Sequence, residues 1–162
     1  RGFVVLVPKE TVQRLTDGDL RASLVYAVDP AKVAQLKLRS KWGGPAEVVY
    51  VFERKGSEWA AIPPSPDGFA ADSAKVDALV RAVSSPRAAK FVDVGSKPQY
   101  GVDVGANPEA VEVTLIPATG PATTLVLGAK ADGGAVYATS SGVPGEVFTF
   151  DPAAVAGLLG KD

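Results

Sequence analysis

The chain has 162 residues, 46% of them hydrophobic and 22% charged, with 17 basic against 18 acidic side chains and a formal net charge of −1. That is the profile of a folded domain of ordinary size, and the balanced charge supplies no field to draw it onto nucleic acid or anionic lipid. It contains no Cys and no His, which removes thiol nucleophiles, disulfides, Cys/His zinc sites and every His-based triad, and none of its unbroken apolar runs approaches the roughly 18 residues a membrane helix needs.

In chain order, residues 3–7 form an apolar β run and residues 9–16 a short helix, with Val12 and Leu15 on one side, stopped by Asp17, Gly18 and Asp19. Residues 24–28 read as a strand. Leu36 and Leu38 then alternate against Gln35, Lys37 and Arg39, the pattern of a half-buried strand. A loop through Lys41, Trp42, Gly43, Gly44 and Pro45 leads to residues 48–52, apolar on both faces and expected to lie centrally in a sheet. Residues 58–62 carry Trp59 and end in a Pro-rich crossing.

The clearest helix spans about 72–84, where Val76, Leu79, Val80 and Val83 recur at i, i+3, i+4 and i+7 and Asp72 stands at the N-cap. A strand at 90–94 and a Gly-rich connection at 95–108 follow. Four short strands at 111–116, 123–127, 135–139 and 146–150 come next, separated by Gly-containing turns, and a short helix over 151–159 ends the chain. Strands in tight succession on either side of one good helix predict an α+β fold, an antiparallel, meander-rich sheet packed on that helix.

An internal repeat bears on domain organisation. Residues 2–19 align without gaps on residues 145–162, Gly2 against Gly145, with Gly, Val, Val, Leu and Asp shared at matching places. Both segments read as strand, turn and short helix. On this reading residues 1–19 close a preceding unit and residues 20–162 form a complete one. The opening at Arg1, inside a strand-like run, reads as a cut from a longer protein, so that any signal or anchor lies outside it.

The order of features from about Ala34 to Leu159 resembles a bacterial family, the domain of unknown function 4340. The resemblance is carried by Glu58, Trp59 and Pro63, by Ala71 and Asp72 opening a helix with Val76 and Leu79, and by Tyr100, Gly101, Val102 and Asp103. It continues through Val113 to Leu115, Leu125 to Gly128, Val136 to Ala138, and Val147 with Phe148. The chain departs from the pattern after Asp103, where the family places a Pro almost at once and this sequence inserts Val104 to Asn107 before Pro108. The resemblance implies an extracytoplasmic (periplasmic or cell-surface), membrane-tethered protein with several such units, accessory to ABC transporters of the gliding-motility kind. It implies no reaction and carries over no catalytic residue.

Trp59 is expected to anchor the core, sharing a strand face with Ala61. Trp42, beside Lys41 in a Gly-Gly-Pro loop, is the candidate exposed contact, with packing back onto the sheet edge as the alternative. Tyr100 is expected to tuck inward and Asp103 to tie a turn. Asp17, Asp19 and Asp67 lack the ligand ladder of a calcium loop, and the Gly-rich stretch at 95–105 has neither a dinucleotide nor a phosphate-loop fingerprint. No catalytic, cofactor or metal site is therefore assigned. The expected function is a non-catalytic interaction or scaffold module whose partners are other units of the same polypeptide and a membrane transporter component. It takes no nucleic acid and inserts no part of itself into the membrane. A glycan- or envelope-ligand-binding module using Trp42 is the alternative, and a hydrolase built on two carboxylates the remote third.

Overall fold

The computed structural model describes residues 23–42, 44–151 and 153. Eight strands and one helix form the fold: β1 (Val33–Ser40), β2 (Val48–Lys55), β3 (Glu58–Ile62), α1 (Ser73–Val83), β4 (Lys90–Val94), β5 (Val111–Pro117), β6 (Thr123–Lys130), β7 (Val136–Ser140) and β8 (Glu146–Phe150). Short 3-10 turns stand at Pro30–Lys32, Pro98–Tyr100 and Asp132–Gly134. The α+β class and the antiparallel meander expected from the sequence are both present. The short helices expected at 9–16 and 151–159, and most of the repeat, lie outside the described residues.

All eight strands join in one antiparallel sheet of order β3-β2-β1-β5-β6-β7-β8-β4. Residues 48–52 belong to a strand one place in from the edge rather than at the centre, which is held by β5 and β6. Their apolar character has another cause: Val51 and Phe52 are buried while Tyr50 joins an aromatic cluster at the sheet's end. Residues 24–28 are not a strand. Leu24 makes an isolated bridge to Arg87, and Val25 and Val28 donate their N–H groups to Pro86 and Ser84 carbonyls at 3.0 and 2.8 Å, so the segment lies along the chain leaving α1.

Strand alternation places one apolar row after another on a single face. Tyr50, Leu38, Val113, Leu125 and Ser140 are successive register partners, as are Val111, Leu127, Ala138, Phe148 and Phe91. Helix α1 adds Val76, Leu79, Val80 and Val83 to the same core cluster. It connects β3 at one edge of the sheet to β4 at the other. Each such side chain, fully buried, contributes about 1.5–3 kcal/mol of transfer free energy. Asp72 caps α1 by accepting from Ala74 and Lys75 N–H, both at 3.1 Å. At the other end Ser84 Oγ donates to the Val80 carbonyl at 2.5 Å and the Tyr26 hydroxyl to that of Val83 at 2.8 Å, answering acceptors a helix end leaves open. Burial pushes the Tyr26 hydroxyl pKa up.

A second, smaller cluster joins Tyr100 and Val102 to Val147, Val126 and Tyr137. The segment from Ser96 to Pro108 thus lies as a strap across β6–β8. A side chain at Gly128 would strike the Tyr100 carbonyl and Val102, so a glycine is needed where the strap crosses β6.

Candidate functional site

The turn between β1 and β2 is organised by Ser40, a fully buried residue at the end of β1. Its Oγ donates to the Ala110 carbonyl at 2.7 Å and accepts the Trp42 N–H at 3.0 Å. The Gly44 N–H closes the turn onto the Lys41 carbonyl at 2.7 Å. These bonds hold Trp42 at φ 43°, the left-handed region, and no other non-glycine residue among those described has a positive φ. A bulky side chain is rarely found there.

So held, the Trp42 ring meets Tyr50 edge-on, with centroids 5.5 Å apart and planes at 80°. Tyr50 stacks parallel to Phe52 on its own strand at 6.4 Å, and Phe69, from the loop before α1, packs on both at 4.7 and 6.0 Å. Trp42 and Tyr50 are half-buried, whereas Phe69 is 45% exposed. Neither the Trp42 indole N–H nor the Tyr50 hydroxyl has a hydrogen-bond partner among the described residues, and neither is sealed from solvent. Sequence reading selected Trp42 but missed Tyr50 and Phe69, whose approach depends on strand pairing and on the path of a Pro-rich loop. Lys41 is not a free contact: its Nζ donates to the Gly105 carbonyl at 2.6 Å, fastening the β1–β2 turn to the strap.

Trp59 is only 4% exposed, and its surroundings leave nothing open. Its indole N–H donates to Asp77 Oδ1 at 2.9 Å, the Arg54 guanidinium lies 4.4 Å over its ring and pairs with Asp77 at 3.2 Å, and its backbone N–H donates to Ser73 Oγ at 2.9 Å.

At the far end of the sheet, Asp93 Oδ2 accepts from Lys97 Nζ at 2.5 Å and from the Tyr100 hydroxyl at 2.7 Å, while Asp93 Oδ1 accepts the Val94 N–H at 2.8 Å. The Lys97 and Tyr100 bonds, then the Val94 N–H, hold the Asp93 carboxyl down to about 2, and the same contacts raise Lys97 and Tyr100. With the tyrosine and lysine both kept protonated, the group is a latch on the strap and offers no base for chemistry. Asp103 ties its own turn, its Oδ1 accepting the Gly105 N–H at 2.8 Å. A shallow recess of about 600 Å³ lies along the strap, but its Asn107 already donates to the Gly101 carbonyl and its Lys97 to Asp93. Among the described residues no three acidic side chains gather where they could hold a metal ion, and no helix is long and apolar enough to cross a membrane.

No curated protein and no solved structure matches the chain. Residues 3–105 match the family model described as Domain of unknown function (DUF4340), a stretch that takes in β1–β4 and most of the strap and stops short of β5–β8. The chain therefore belongs to the DUF4340 family.

Proposed function

We propose that this domain is a non-catalytic interaction module acting on the extracytoplasmic side of a membrane-tethered bacterial protein, in contact with other units of its own chain and with an ABC-transporter component. The observation that carries the reading is the Trp42–Tyr50–Phe69 patch, where half-buried and exposed aromatic rings stand beside two unpaired donors. Aromatic residues of this kind dominate the energetics of protein contacts. The sheet edges are less inviting, since the Trp59 N–H of edge strand β3 is taken by Ser73 and the Val94 N–H of edge strand β4 by Asp93. Such capping, with the bulge between Phe91 and Asp93, discourages strand addition. Membrane tethering and transporter association follow from the family resemblance.

A photo-cross-linking residue in place of Phe69 tests the reading in the full-length protein in its own cells. The expected outcome is adducts with a membrane transport component or with another unit of the same chain, recovered in the membrane fraction. A freely cytosolic protein, or no protein adduct from position 69, overturns it. Glycan binding at the same aromatic patch is the second reading, favoured by the exposed Phe69 ring beside Tyr50.

A further inference from the structure

We propose that the Trp42–Tyr50–Phe69 patch docks a short, uncharged, proline-rich segment of a partner protein in the extended polyproline conformation. This rests on the contact-module reading above and names the chemistry of what is contacted.

The first observation is what the patch offers. Its rings present apolar faces, and its free polar groups are the indole N–H of Trp42 and the hydroxyl of Tyr50, both without partners among the described residues. Trp59, by contrast, has its indole N–H bound to Asp77, as is usual for a tryptophan packed into a core.

The second is what the neighbouring charges are doing. Lys41 is bound to the Gly105 carbonyl, and Arg39 pairs with Glu112 at 3.0 Å and with Glu47 at 3.8 Å. The ionic groups flanking the turn are engaged with one another or with backbone, so the ligand that fits carries no net charge.

The third is pre-organisation. Trp42 is held in left-handed backbone by Ser40 and the Gly44 turn before any ligand arrives. A strained, fixed aromatic is a recurring feature of binding sites.

Proline-rich chain is the chemical complement. Each proline lacks an N–H, so the segment presents carbonyl acceptors and apolar rings, and its backbone is already extended, which lowers the entropy lost on docking. A saccharide must donate from its hydroxyls as well as accept, and the Glu47 and Glu112 carboxylates that could receive those protons face Arg39. The exposed Asp67, two positions before Phe69, is the carboxylate a sugar would have to use.

The two tryptophans supply their own reporters. In a 15N-labelled sample of this chain, titration with decaproline is expected to move the Trp42 indole N–H resonance and the Tyr50 and Phe69 amides, leaving the Trp59 indole in place. A Gly-Ser decapeptide should move neither. Tyr50→Phe keeps the ring and removes one donor, and should weaken binding several-fold. Trp42→Ala should weaken it about tenfold or more, with an unmoved Trp59 resonance showing that the fold survives. The inference is overturned if millimolar decaproline leaves Trp42 unmoved or if the Gly-Ser peptide acts equally. It also fails if cellohexaose moves Trp42 and Asp67→Asn abolishes that shift, or if the shifts follow protein concentration alone, which would mark a second copy as the occupant. A negative decaproline titration alongside adducts from position 69 would end this inference and leave the contact-module reading standing.

Discussion

The chain holds two tryptophans in opposite states. Around Trp59, the indole N–H, the ring face and the backbone N–H are each matched, by Asp77, Arg54 and Ser73, and the side chain is almost wholly buried. Around Trp42 the backbone is fixed by Ser40, yet the ring stays half-buried and its N–H has no partner among the described residues. A buried aromatic with every polar group paired adds stability and leaves nothing for a ligand. One that is positioned but unpaired has spent conformational freedom without using its binding capacity, and that residual capacity is the basis of the functional reading.

The comparison breaks first at Trp59. Trp59→Ala should cost about 3–5 kcal/mol in chemical denaturation, through the cavity and the loss of the partners of Arg54 and Asp77. Trp42→Ala should cost about 1–2 kcal/mol, near the centre of the range for single substitutions. Equal losses would show that Trp42 is a second core anchor and would remove the reason to treat it as a contact residue.

Ser40→Ala sharpens the contrast. It strands the buried Ala110 carbonyl and frees the Trp42 N–H, at a cost of about 1–3 kcal/mol. The Trp42 indole resonance should broaden or move while that of Trp59 keeps its position. Gly128→Ala, on the opposite face, drives a methyl against the Tyr100 carbonyl and should cost about 1–3 kcal/mol, lifting the strap without disturbing either tryptophan resonance.

The smallest effect is a pH dependence. Because the Asp93 carboxyl is held down to about 2, below its ordinary 3.8, its contribution to stability is fully present above the ordinary carboxylate value and is lost as the pH falls toward 2. Lys97 and Tyr100 are raised, so their part is present below their ordinary values of 10.5 and 10.0 and disappears as the pH rises through the raised ones. Acid titration followed by amide exchange at Val102 and Val104 should loosen the strap below about pH 4, and Asp93→Asn should remove that dependence.

Much of the fold was legible because it is written in short-range periodicity. The i, i+3, i+4, i+7 recurrence of Val76, Leu79, Val80 and Val83 and the cap at Asp72 located α1 to within a residue. Alternation located β1 and the four later strands. The strand expected at 24–28 failed because apolar residues there serve a different end: Val25 and Tyr26 are buried by lying along the segment that leaves α1, where an isolated bridge and side-on hydrogen bonds replace a ladder.

What the sequence by itself determined is the set of elements, the absence of Cys and His chemistry, and the identity of the two tryptophans as the residues to weigh. Tertiary structure alone decided how those elements meet. Strands β5–β8, which lie outside the family match, enter the sheet between β1 and β4, so the matched region supplies both edges and the unmatched one most of the middle. The same pairing sets Tyr50 beside Trp42, brings Phe69 onto both Tyr50 and Phe52, and carries Lys41 to Gly105. The physical reason is one of range. Helix and strand patterns repeat every few residues and can be read locally, whereas strand order and the company a side chain keeps depend on contacts between distant segments, whose closure entropy and matching faces no local window contains.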